Sequence, residues 1–200
     1  MPTSSAMLDI TTRHYVVPNT NLRVSQKFMI VKETDRLLLR QFTLADNDAL
    51  LSIFDDAEVM RFGDGPRPAE WVRGWLRDCL GSYERRGYGP WAVVEKASGH
   101  VIGYCGLFHY PDVNGRPEIE IGYRLAHACW GRGFATEAVL AARNYAFEAL
   151  DITRLIALID PANTASIRVA EKAGMRHEGE AMLPGYTYAD RVYVITRPTD

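Results

Sequence analysis

The chain has 200 residues, 47% of them apolar, and a formal net charge of -2 from 23 basic and 25 acidic side chains. That is apolar material for one good core, with no internal repeat or Ser/Gly-rich linker to suggest two. Charges of both signs are scattered, so neither nucleic acid nor an anionic membrane is expected as the main partner.

Residues 1–30 lack both a basic start and a continuous apolar stretch, so they do not form a secretory signal, and no apolar run elsewhere is long enough for a membrane. A soluble, cytoplasmic protein is expected. His14, Tyr15, Val16 and Val17 are surrounded by polar residues and Pro18, so residues 1–30 are expected to be a mobile extension. The folded domain is then residues 31–200. Cys79, Cys105 and Cys129 are odd in number and far apart. They suggest neither a disulfide framework nor a zinc site, and reduced thiols in cytosol fit them.

In chain order, residues 36–42 form the first expected strand, Leu37 and Leu39 alternating with Leu38 and Arg40. Thr43 and Asp46 cap a helix that carries Leu50, Leu51, Ile53 and Phe54. Residues 61–68 hold two glycines and two prolines and form a loop. Pro68 suits the first turn of a second helix, in which Trp71, Trp75, Leu76, Cys79 and Tyr83 recur at helical spacing. Both tryptophans are assigned to the core rather than to a ligand cage. Strands at 91–94 and 101–108 are joined by a turn at 97–99, and after a loop at 111–116 a third strand covers 117–125, giving an antiparallel meander.

Residues 118–137 carry the strongest signal. Ile119, Ile121, Tyr123 and Leu125 alternate with Glu118, Glu120, Gly122 and Arg124, the period of a half-buried strand. From about Phe134 to Leu150 the pattern turns helical, with Val139, Ala142, Ala146 and Ala149 on one stripe. Between them Gly131 and Gly133 let the backbone fold back and expose several N–H groups. An anion at such a helix start gains roughly 0.3–1 kcal/mol from the dipole at an exposed site. A Walker loop is ruled out, because Gly133 is followed by Phe134, Ala135 and Thr136 rather than a Lys-Ser/Thr pair. A dinucleotide fingerprint shares the Gly131-x-Gly133 spacing and an Asp160 at the end of the next strand. However, Thr136 stands where its third glycine belongs, and residues 126–130 separate strand from first glycine.

Beyond this turn, residues 154–159 form a short buried strand, parallel to its predecessor through a right-handed crossover. Residues 163–173 form a helix ended by Gly174, and 175–182 with 188–196 close a final hairpin. Strands in a meander and then interleaved with helices make a mixed sheet.

WGRGFATEA at 130–138, followed after the next strand by PANTASIRVAEKAGM at 161–175, resembles the GNAT superfamily of N-acetyltransferases. The wording is similar to the branch containing the RimJ/RimL ribosomal-protein N-terminal acetyltransferases. The resemblance covers roughly residues 34–198. The superfamily's pyrophosphate motif, Gln/Arg-x-x-Gly-x-Gly/Ala, falls on Trp130-x-x-Gly133-x-Ala135. Trp130 departs from the general pattern, at little expected consequence because the contacts are mostly backbone N–H groups.

The resemblance implies an α/β (α+β) fold with a central mixed, mostly antiparallel sheet of about seven strands flanked by about four helices. It implies acetyl-CoA as cosubstrate, with no metal. Gly131, Arg132, Gly133, Phe134, Ala135 and Thr136 would meet the pyrophosphate. Ile121, Gly122 and Tyr123 would splay from the neighbouring strand and offer backbone groups to the pantetheine and acetyl carbonyl. Asn163, which caps its helix in any case, and Ser166 would also touch the cofactor. The acceptor would be a protein N-terminus or a small amine, and the protein a monomer or homodimer.

Acetyl transfer needs a neutral amine, a polarised thioester and a place for the thiolate's charge. A lysine amine near pKa 10.4 costs about 4 kcal/mol to deprotonate at pH 7.4, an α-amine near 8 under about 1 kcal/mol. Glu120 is the expected base. Glu118, two residues earlier on the same face, would raise the pKa of one member of the pair; the alternative is that both are solvated and paired with Arg116 or Arg124. Gly122 allows close approach of a ligand, or marks a bulge. The superfamily's usual acid, a tyrosine in the later helix, would fall at Ala170 and is absent. Ser166 is the hydroxyl that matches the RimL-like alternative, with Tyr123, Tyr186 or Tyr188 as substitutes.

Arg132 and Thr136 are expected to add side-chain contacts to the phosphate, with Arg168 and Lys172 near the nucleotide's remaining phosphate. Asp55, Asp56, Glu58 and Asp64 are candidates to attract a cationic amine, and residues 109–116 and Tyr186 are candidate walls. Cys129 is expected to be a small buried residue rather than an acyl carrier. The reading is an N-acetyltransferase using direct attack, with no covalent enzyme intermediate. Its rival is a non-catalytic acyl-CoA-binding module.

Overall fold

The computed structural model describes residues 28–198. Its strands are β1 (Ile30–Glu33), β2 (Leu37–Arg40), β3 (Pro90–Glu95), β4 (Val101–Val113), β5 (Arg116–Leu125), β6 (Arg154–Ile159), β7 (Arg176–Ala181) and β8 (Asp190–Thr196). Its helices are α1 (Asn47–Phe54), α2 (Ala57–Met60), α3 (Ala69–Arg86), α4 (Phe134–Ala149) and α5 (Thr164–Lys172). One sheet contains all eight strands in the order β1-β2-β3-β4-β5-β6-β8-β7. Every pairing is antiparallel except β5 with β6, which are joined by the α4 crossover.

The expected mixed, mostly antiparallel α/β architecture is present, with one more strand and one more helix than anticipated. The extra strand is β1, so the domain reaches back into the expected extension; the rest of that extension, residues 1–27, lies outside the described residues. The extra helix is α2, a single turn capped by Asp56, whose carboxylate accepts from the N–H groups of Glu58 and Val59 at 2.8 and 3.2 Å. Residues 111–116 are not a free loop. β4 continues to Val113, and Asn114 and Gly115, with φ of 53° and 86°, make the two-residue turn into β5. Asn-Gly is the dipeptide such a hairpin favours, since both central residues take positive φ.

Two apolar layers sandwich the sheet. On one face α4 lays Ala138, Ala142 and Ala146, all fully buried, against Trp91, Cys105, Leu107 and Ile121. Small side chains let the helix press close to the strands. On the other face α1 and α3 cover Ala92 and Tyr104 with Leu50, Phe54, Val72 and Leu76. Trp75 and Phe54 meet there edge to face at 5.0 Å, so Trp75 packs against the core as expected, whereas Trp71 touches Phe54 at 5.2 Å but stays exposed, with Arg67 over its ring. No helix among the described residues is long and apolar enough to cross a membrane.

Candidate active site

β5 and β6 meet with Glu120 registered against Ile156. Beyond that point the ladder gives way to a cavity. The Leu158 N–H, which a continued ladder would give to a backbone carbonyl, is instead accepted by the Glu120 carboxylate at 3.2 Å. Two adjoining spaces result. A cavity of about 250 Å³ is lined by β4, β5, β6, α5, the loop at Phe62 and Gly63, and the turn around Tyr186. A groove of about 370 Å³ runs between the glycine turn and α5. Tyr123, Arg124, Asn163 and Ser166 border both.

The groove floor follows from local sequence. After Leu125 a short 3-10 turn, His127–Cys129, leads to Gly131 and Gly133, whose φ of 72° and 81° is a conformation other residues adopt only with strain. Gly133 caps α4 with no side chain, which leaves the first-turn N–H groups facing the groove without a side-chain partner. The Trp130 indole donates to the Leu125 carbonyl at 2.8 Å. At the position where the superfamily motif carries Gln or Arg, the side chain therefore ties the turn to the end of β5.

An interaction that sequence reasoning missed holds this turn from behind. Arg36 donates to the Arg132 carbonyl at 2.9 Å and to Glu137 at 2.7 Å, and the Thr34 hydroxyl donates to Glu137 at 2.6 Å. Burial alone would raise the Glu137 pKa, but hydrogen bonds from Thr34 and Arg36 outweigh it and bring it below the usual value. Arg132, expected on the phosphate, pairs with Glu95 at 2.7 Å and stacks on Phe134 at 4.5 Å, with Arg36 on the same ring at 4.7 Å. Its side chain does not line the groove. Trp130, Gly131, Gly133, Phe134, Ala135 and Thr136 do, and Arg168 and Lys172 stand on the α5 side.

The residues present fit a pyrophosphate. A β-carbon on Gly131 would meet nothing within 4 Å, so the backbone there lies open, and the uncapped helix start supplies donors and partial positive charge.

At the junction of groove and cavity, the Tyr123 hydroxyl donates to Ser166 Oγ at 3.0 Å, and the Asn163 side chain accepts from the Ser166 N–H at 3.1 Å as the α5 cap. Burial pushes the Tyr123 pKa up to about 12, partly offset by the Ser166 hydrogen bond. Burial also raises Glu120 to about 7, against the lowering effect of hydrogen bonds from Leu158 and Tyr110. A carboxyl near 7 exchanges protons at neutral pH. Ala170, where the superfamily's usual tyrosine would fall, is buried.

Several expected features differ. Glu118 does not couple to Glu120: Arg116 and Arg154 hold its buried carboxylate at 2.6 and 3.1 Å. Gly122 is not a bulge, and it lines the cavity. It registers regularly with Gly106, and a β-carbon on it would lie 2.9 Å from the Phe108 ring, which fills the space above it. Asp55, Asp56, Glu58 and Asp64 do not line the cavity. Asp56 caps α2, while Glu58 and Asp64 pair with Arg61 and Arg67. The acids that do line it are Glu120, Asp160 and Asp190. Asp190 and Phe108 were missed, with only the period-two pattern of β4 hinting at the second, while Tyr110, within the expected wall at 109–116, and Tyr186 both line the cavity. Cys129 is buried and its thiol pKa is raised, first by burial, which fits a packing role.

Residues 36–176 match the acetyltransferase (GNAT) domain family. Among curated proteins, the uncharacterised YkkB of Bacillus subtilis (strain 168) is 36% identical over 72% of this chain and 84% of its own. The uncharacterised N-acetyltransferase p20 of Bacillus licheniformis is 33% identical over 73% and 82%. Among solved structures, Mycobacterium smegmatis RimJ in complex with CoA-disulfide shares the fold at a TM-score of 0.64 and 22% identity, over 80% of this chain and 81% of that one. With the fold, the glycine turn and the family match together, the chain belongs to the GNAT acetyltransferases.

Proposed function

We propose that the protein transfers the acetyl group of acetyl-CoA to a primary amine by direct attack, as a cytoplasmic enzyme of the RimJ/RimL-like branch. The carrying observation is the junction. The groove with the uncapped helix start and the cavity with Glu120 adjoin, with Tyr123 and Ser166 lining both. The glycine-turn amides hold the pyrophosphate, and Arg168 and Lys172 face the nucleotide end. Acetyl-CoA supplies the activated thioester.

Glu120 takes the proton from the amine, directly or through water. Its pKa of about 7 matches that task at neutral pH. Ser166 hydrogen-bonds the leaving sulfur, using its own proton because it accepts one from Tyr123. Tyr123, at about 12, keeps its proton and holds Ser166 in place. The proton lost by nitrogen returns to sulfur through water. The branch assignment draws on the resemblance of the motif wording and of the fold of RimJ, which binds CoA-disulfide in the solved complex. The compartment draws on the three unpaired cysteines.

The test is calorimetric titration of acetyl-CoA followed by thiol release over a panel of peptides, polyamines, amino acids and aminoglycosides. Binding with turnover is the expected result. Absence of acetyl-CoA binding overturns the reading. Binding without thiol release for any amine favours a non-catalytic module, for which Ala170 in place of the helix tyrosine is the one supporting observation.

A further inference from the structure

β6 and β8 are antiparallel with Ile159 registered against Arg191, so the next step of that register sets Asp160 opposite Asp190. Directly opposed residues have β-carbons roughly 4.5–5.5 Å apart, and like charges there are destabilising. Both carboxylates line the cavity. Among the described residues no lysine, arginine or histidine forms an ion pair with either. Asp160 accepts the Ala162 N–H at 2.7 Å and a hydrogen bond from the Tyr188 hydroxyl, neither of which brings a positive charge. Asp190 is held above the usual carboxylate range, first by burial and then by the charge of Asp160. With Glu120 added, three acids face a single cation, Arg124.

Aromatic rings make up another part of the wall. Tyr104, Phe108, Tyr110, Tyr186 and Tyr188 turn toward the space, the last two packed edge to face at 6.0 Å. Ring faces favour ammonium groups and cover methylene chains. Strands, α5 and two loops line the cavity, and its volume of about 250 Å³ is the size of a small molecule.

We propose that the acceptor is a small diamine, whose second ammonium group is held between Asp160 and Asp190 while its first amine is presented to Glu120. This rests on the acetyltransferase reading above. Such a ligand removes the facing repulsion, and its second charge disfavours the ammonium form of the reacting amine. Asp160 and Asp190 are thus specificity-determining residues that never touch the thioester.

The experiment compares thiol release from acetyl-CoA with 1,4-diaminobutane, with 1-aminobutane, and with a short peptide carrying a free N-terminus. The diamine KM is expected to be at least about tenfold below that of the monoamine, the range of a well-placed charge pair. In Asp190→Asn and Asp160→Asn that KM ratio collapses toward one. Both variants should fold, because each removes a like-charge contact. Equal KM values for the two amines, or preference for the peptide, overturn this proposal and leave the acetyltransferase standing. Bound acetyl-CoA with no release from any amine overturns both.

Discussion

The Tyr123 hydroxyl donates to Ser166 Oγ at 3.0 Å, so a residue of β5 sets the direction in which a residue of α5 can give its own proton. Ser166→Ala should lower kcat about 10- to 100-fold, since a hydrogen bond to a charged group is worth roughly 1.5–3 kcal/mol. Tyr123→Phe should cost less. In the double variant the losses should fall short of additive, because both remove one unit. Thiol-release kinetics of the four proteins measure this; full additivity would mean the two hydroxyls act apart.

Glu120 binds more protons folded than unfolded between pH 4.5 and about 7, because its pKa is raised across that interval. Its contribution to stability therefore falls as pH rises through the window and is flat above it. Activity runs the other way: kcat/KM should climb with pH around 7 as the carboxylate forms. Glu120→Gln should abolish that limb, lower kcat about 10²- to 10⁴-fold and leave acetyl-CoA binding intact. Denaturant melts and rate profiles from pH 5 to 9 check the two signs separately.

Gly133 at φ 81° is the sharpest requirement of the turn, and a β-carbon there would also lie 3.4 Å from the Arg36 guanidinium. Gly133→Ala should cost about 1–2 kcal/mol through left-handed strain. It should also weaken acetyl-CoA binding more than it lowers the melting temperature would suggest, because the displaced segment is the anion cradle. Calorimetry beside a thermal melt separates the two effects.

Phe108 packs over Gly122, so Gly122→Ala forces a contact at 2.9 Å. The flexible end of the ring gives way into the cavity, and the variant should raise the acceptor KM while costing about 1–3 kcal/mol from overpacking. Adding Phe108→Leu should restore both. Failure of the second change to rescue the first would show that the strand itself had moved.

Arg40 and Asp46 form a buried bidentate pair at 2.8 and 2.7 Å, far from the groove. Asp46→Ala leaves a buried guanidinium unpaired and should cost about 3–5 kcal/mol, read as a lower urea midpoint. Acetyl-CoA affinity measured well below the melting temperature should be unchanged.

Most of the framework was legible from local pattern. Alternation in 118–125, the alanine stripe of α4 and the Asn163 cap each depend on neighbours within a turn or a strand, so spacing reports them directly. β1 escaped notice because four residues, Ile30–Glu33, carry too short a period to read. The Asn114-Gly115 turn was present as a dipeptide but was passed over as part of a longer loop. Glu118 and Glu120 looked alike in sequence. Partners at Arg116, Arg154, Leu158 and Tyr110, mostly brought in from other strands, made one a buried ion pair and the other a raised-pKa carboxyl.

The sequence alone determined that an apolar strand would feed a glycine turn and a helix start, because a positive φ and exposed amides are properties of a few consecutive residues. Only the tertiary structure decided what surrounds that turn. The register of β4 on β5 set Phe108 over Gly122, that of β8 on β6 opposed Asp160 to Asp190, and Arg36 was carried from β2's edge onto the turn. Registers between distant strands are settled by burial across the whole sheet, which no local spacing records.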